Sequence, residues 1–83
     1  MKGVIEFANL KTGRYAVRTG AGRFTIFQVL SAGAALSVDE TVRGELETLT
    51  LEIYDTAKHG KIRVFAEETH CTRSTAEAWV GQN

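Results

Sequence analysis

The 83 residues predict an all-β fold, a small barrel of five or six strands with a short helix at its C-terminus. Three observations carry this. Apolar and polar residues alternate at a period of two in several short runs, the spacing at which one face of a strand meets a core. Proline is absent, and glycine punctuates the runs at Gly13, Gly20, Gly22, Gly33, Gly44 and Gly60, as turns and bulges require. Many short strands in a small chain also favour closure, which removes the free edges that invite aggregation.

From Val4 to Ala8, Ile5 and Phe7 share one face with Glu6 between them, and Asn9 to Gly13 reads as a turn. Arg14 to Arg18 then places Tyr15 and Val17 inside and both arginines outside. Thr19-Gly20-Ala21-Gly22 closes a hairpin onto Arg23–Leu30, where Phe24 and Ile26 set the core face and Phe27 and Val29 point away from it. Ser31 to Leu36 is small and alanine-rich, long enough for a helical turn or a crossover. Ser37-Val38-Asp39-Glu40 launches a strand over Thr41–Leu46, with Val42 and Leu46 on one face and a bend at Gly44.

Leu49, Leu51 and Ile53 alternate with Thr50, Glu52 and Tyr54 in the cleanest period-two run, and are expected inside. Asp55 to Gly60 turns the chain so that Ile62, Val64 and Ala66 answer from the returning strand. Ser74-Thr75-Ala76-Glu77 has capping-box spacing and predicts a helix that starts there, ends before Gly81 and lays Trp79 over an open end of the barrel. The strand order is open between an OB-like and an SH3-like barrel.

Length and composition agree with one domain spanning residues 1–83, of the size that hides only about 60–65% of its unfolded surface. Ten basic and ten acidic side chains cancel, so any nucleic-acid site has to be a local patch rather than a global field. No run approaches the roughly 20 apolar residues of a membrane-spanning helix. The lone Cys71 forms no intrachain disulfide, and cytoplasmic residence with no membrane association is the expectation.

Gly3-Val4-Ile5-Glu6-Phe7-Ala8-Asn9, a three-residue spacer and Gly13-Arg14-Tyr15-Ala16-Val17 resemble the first two strands of a cold-shock domain, an OB-fold module. Phe24-Thr25-Ile26-Phe27-Gln28 falls where that family has its second aromatic motif, and Leu36 with Val42 fits the entry to its fourth strand. The likeness spans about half the chain and implies single-stranded RNA or DNA as ligand, stacked on outward aromatics. Arg14, Ala16, Thr25 and Gln28 stand where four of those rings would be, which leaves Phe7 and Phe27 as stacking platforms. At about 1–3 kcal/mol per stacked base, two rings imply weak binding.

Beside them, Lys11, Arg14, Arg18 and Arg23 lie on or next to one hairpin and can follow a phosphate backbone. The candidate nucleic-acid site is therefore Phe7, Lys11, Arg14, Arg18 and Phe27, against the plainer reading of a solvated strand face. His70 and Cys71 are adjacent on a strand and point to opposite faces, so no metal site, cofactor or Cys–His nucleophile is expected. Glu6, Glu45, Glu47, Glu52, Glu67 and Glu68 read as solvated carboxylates, and the chain as a non-enzyme. Two functions follow: weak single-strand nucleic-acid binding, or a structural module that forms a homo-oligomer through an outward Phe27 and Val29.

Overall fold

Turns at Gly13 and Gly22 fold the N-terminal third into a meander of β1 (Lys2–Asn9), β2 (Arg14–Gly20) and β3 (Arg23–Val29). A crossover without helix leads through Leu36, which is buried, to β4 (Thr41–Arg43). A second meander adds β5 (Thr50–Thr56) and β6 (Gly60–Cys71), and α1 (Arg73–Val80) follows. The structure, a computed structural model, describes residues 1–81. Every pairing is antiparallel, and the strands close in the order β1-β2-β3-β6-β5-β4, with β4 returning to β1.

Two glycines make closure possible. A Cβ on Gly3 would lie 2.5 Å from the Arg18 carbonyl oxygen and 2.6 Å from a Val17 methyl, so β1 approaches β2 more closely than any side chain allows. Gly44 adopts φ 148°, and its Cβ would sit 3.0 Å from the Ile53 carbonyl oxygen, which fixes the bend out of β4.

Apolar burial is divided between two layers. Inside the barrel, Ile5, Tyr15, Val17, Phe27, Leu46, Tyr54, Ile62 and Val64 form the main core. Phe27 stacks on Tyr15 with centroids 5.7 Å apart and receives Tyr54 edge-on at 5.0 Å. The Tyr15 hydroxyl accepts the Leu36 N–H at 3.1 Å, which ties the crossover to the core. Outside the barrel, α1 lays Ala76 and Val80 on Ala16, Phe24, Ile26 and Cys71. The strand β3 is thus buried on both faces.

This second layer revises several expectations. Phe24 and Ile26 are buried, but under the helix, and Phe27 is the residue that points inward. Ile5 and Phe7 do not share a face, because a bulge between them leaves Ile5 opposite Val17 inside and Phe7 opposite Ala16 outside. In β5 the phase is opposite to the one expected: Tyr54 and Thr56 are buried while Leu51 and Ile53 face outward. Cross-strand partners share a face, and Tyr54 sits opposite the buried Ile62.

The helix begins earlier than the capping box implied. Thr72 is the N-cap, with its hydroxyl accepting the Thr75 N–H at 3.3 Å, and Ser74 is an exposed residue of the first turn. Trp79 is half-buried at the margin of the outer layer rather than over a barrel end. Thr72→Ala should therefore cost about 0.5–2 kcal/mol in urea denaturation. Ser74→Ala should stay within about 0.5 kcal/mol; the reverse order would mean that the cap lies at Ser74 after all.

Candidate interaction surfaces

The five residues expected at a nucleic-acid site divide in the structure. Phe7, Arg14 and Arg18 project from the outer face of the β1–β2–β3 meander, and Lys11 is exposed on the β1–β2 turn. Phe27 does not join them: it is 0% exposed inside the barrel. Val29 is half-buried against that same core, so the outward Phe27 and Val29 surface does not exist.

The outer face of the meander is also less free than its sequence suggests. Arg14 grips Glu67 with two hydrogen bonds, Nε to Oε1 at 2.7 Å and an Nη nitrogen to Oε2 at 3.1 Å. The Glu67 bond raises the Arg14 pKa and holds its charge in place. Arg18 Nε donates to Glu6, and Arg73 donates to the other Glu6 oxygen at 2.7 Å. Partial burial pushes the Glu6 carboxyl up, but hydrogen bonds from Arg73 and Arg18 outweigh it and hold the group below its ordinary value of 4.5.

Arg73 does more than pair with Glu6. A cation in the first turn of a helix works against the helix dipole, yet its guanidinium lies 5.7 Å from the Phe7 ring centroid and 5.3 Å from that of Phe24. Together with Asn9, whose side-chain amide donates to the Val80 carbonyl at 2.8 Å, Arg73 pins both ends of α1 onto the meander. Phe7 keeps only a half-exposed ring, tilted against Phe24 at 5.8 Å.

A second surface carries the apolar residues that the barrel leaves in water. On the outer face of β5 and β6, Leu51 is 68% exposed, Ile53 51% and Phe65 40%. Leu51 stands directly opposite Phe65, and Ile53 opposite Arg63. Exposed Leu30 extends the patch, and Leu30, Leu51, Glu52, Ile53, Arg63 and Val64 line a shallow groove in it. The alternation of β5 was legible in the sequence, but its inward assignment concealed this face.

The remaining reactive side chains stay apart. His59 Nε2 lies 3.1 Å from the Ala35 carbonyl, and His70 Nδ1 lies 3.5 Å from Glu47. Burial, then the charge of Glu68, pushes the Cys71 thiol up, away from nucleophilic chemistry. Among the described residues no group of three or more His, Cys, Asp or Glu side chains is placed to hold a metal ion, and no helix is long and apolar enough to cross a membrane. No family model, curated protein or solved structure matches the chain.

Two substitutions test these placements. Phe27→Ala should destabilise the fold by about 3–5 kcal/mol, as loss of a core ring does; an exposed stacking ring would leave chemical denaturation nearly unchanged. For Glu6, the folded pKa is the lower one, so its stabilising contribution is complete above pH 4.5 and is lost as pH falls through the lowered value. Glu6→Gln should reduce stability at neutral pH and flatten the acid limb of a melting-temperature profile; an unchanged acid limb would mean that the two arginines do not hold Glu6 in solution.

Proposed function

We propose that this chain is a non-enzymatic interaction module that binds an apolar protein surface through the outer face of β5 and β6. The observation that carries the reading is the contiguous exposure of Leu51, Ile53 and Phe65 on a chain that buries nearly all its other large apolar strand residues. Full burial of a side chain of this kind is worth about 1.5–3 kcal/mol, and exposed apolar patches of this sort mark partner sites. Leu51, Ile53 and Phe65 project from the face of the sheet, and β4 covers the edge of β5 only at Asp55 and Thr56, so a partner of this stripe seats on that face.

Single-strand nucleic-acid binding is the second reading, favoured by the half-exposed Phe7 beside Arg18 and Arg73 and by the resemblance of the meander to a cold-shock domain. It draws less support. Phe27 offers no ring to a base, α1 occupies much of the meander's outer face, and Arg14 and Arg18 each already hold a carboxylate.

Photocrosslinking separates the two. A benzophenone side chain placed at position 65 should yield a covalent protein adduct on irradiation in cells, and the same group at position 7 should yield none. Nucleic-acid adducts from position 7 with no protein adduct from position 65 would reverse the order of the two readings.

A further inference from the structure

We infer that the cleft in which β1 and β2 separate, at the end of the barrel that holds Lys2 and Gly20, is a binding site for a phosphate group. It lies on a different part of the molecule from the β5–β6 face and does not depend on the protein-binding reading.

Strand pairing opens the cleft. β1 pairs with β2 only as far as Val4 opposite Arg18. Beyond that point Gly3 and Lys2 continue against Val42 and Arg43 of β4, while Gly20 stands opposite Arg23 of β3. The two strands thus follow different neighbours, and a cleft of about 240 Å³ lies between them, lined by Lys2, Gly3, Arg18, Thr19 and Gly20 with Thr41 of β4. That is less than the roughly 300–1,000 Å³ of a site for a drug-sized ligand, and it suits one small anionic group.

The lining is a set of donors. No carboxylate belongs to it. Lys2 is exposed and is in no ion pair among the described residues. Arg18 gives Nε to Glu6, which leaves its Nη nitrogens uncommitted, and a guanidinium only donates. The Thr19 Oγ1 is buried with no hydrogen-bond partner, an unfavourable state that a phosphate oxygen would relieve. Thr41 adds a second hydroxyl at the margin.

Charge gives an independent observation. Lys2 stands directly opposite Arg43, both exposed, and like charges facing each other weaken a strand pair. Asp55 faces Arg43 from the other side but forms no ion pair with it among the described residues, and Glu6, two residues beyond Val4, is already shared by Arg18 and Arg73. A phosphate seated beside Lys2 turns this repulsion into attraction of both cations to one anion. Two sources share that chemistry: the terminal phosphate of a small monoester, and an internal phosphodiester of a single nucleic-acid strand.

Nitrogen–proton NMR correlation spectra of the full chain, titrated with inorganic phosphate at constant ionic strength, test the site. Saturable shifts are expected at Gly3, Thr19, Gly20 and Thr41, with a Kd of about 1 mM, the scale of a few contacts. Lys2→Glu and Arg43→Glu should each weaken binding roughly tenfold or more, as loss of a charge-assisted contact does. Lys58→Glu, the same charge change on the β5–β6 turn, should leave it within about twofold because salt screens distant charges. Thr19→Val should weaken binding about three- to tenfold while holding or raising the thermal midpoint, which separates the hydroxyl's part in binding from any part in folding. Circular dichroism confirms that each variant is folded.

Titrations with phenyl phosphate and with an oligothymidylate lacking terminal phosphates then name the source: whichever shifts the cleft at the lower concentration is the kind of phosphate it holds. The absence of saturable shifts at about 50 mM phosphate, far above the expected Kd, overturns the inference. So does an effect of Lys58→Glu as large as that of Lys2→Glu, since a diffuse field rather than a site would then attract the anion.

Discussion

The inward phase of Phe27 organises the rest of the barrel. Phe27 is opposite Tyr15 on one side and Ala66 on the other, so all three face the interior. Ala66 sets the phase of β6, which turns Val64 and Ile62 inward, and Ile62 in turn draws Tyr54 inside. With a period of two, nothing remains to choose in β5: Leu51 and Ile53 must point out. Register therefore transmits one residue's orientation across three strands, and the exposed face of the protein is a consequence of how its core is filled.

The same constraint explains why the helix exists where it does. Turning Phe27 inward sends Phe24 and Ile26 outward, and two large apolar side chains on an uncovered sheet face would forfeit several kcal/mol of burial. Ala76 and Val80 are small, so α1 can settle close to β2 and β3, and Arg73 closes the margin by covering Phe7 and Phe24 while holding Glu6. Two faces that look equivalent on a strand diagram thus end differently: the β1–β3 face is roofed and charge-neutralised, and the β5–β6 face is bare.

The closed all-β barrel of five or six strands, the turn positions, the bend at Gly44 and the inward Tyr15, Val17, Ile62 and Val64 were legible, because alternation and glycine chemistry are local. The phases of β3 and β5 were not. Phe24-Thr25-Ile26-Phe27 is buried throughout, and a run buried on both faces carries no alternation from which to tell inside from outside. In β5 local chemistry argued for the opposite phase, since Tyr54 goes inside with a hydroxyl that has no hydrogen-bond partner among the described residues while two better hydrophobes stay out; burial, and then the charge of Glu52, pushes its phenol up accordingly. Only long-range pairing with β6 overrides that preference. Ion pairs such as Arg14 with Glu67 and Arg18 with Glu6 likewise join residues 53 and 12 positions apart, which no local pattern announces.

The closure of β3 by β6 and its roofing by α1 also set a timetable for synthesis. When translation has reached Leu30, the first three strands exist, but the strand that will cover the free edge of β3 and the helix that will roof its outer face lie 30 to 50 residues further on. At about 5–20 residues per second, that interval lasts a few seconds, during which a stretch rich in phenylalanine and isoleucine has a strand on one edge only and no lid. The sheet thus closes only once β6 and α1 have been made, and a truncated product ending before β6 would be the form most in need of a chaperone.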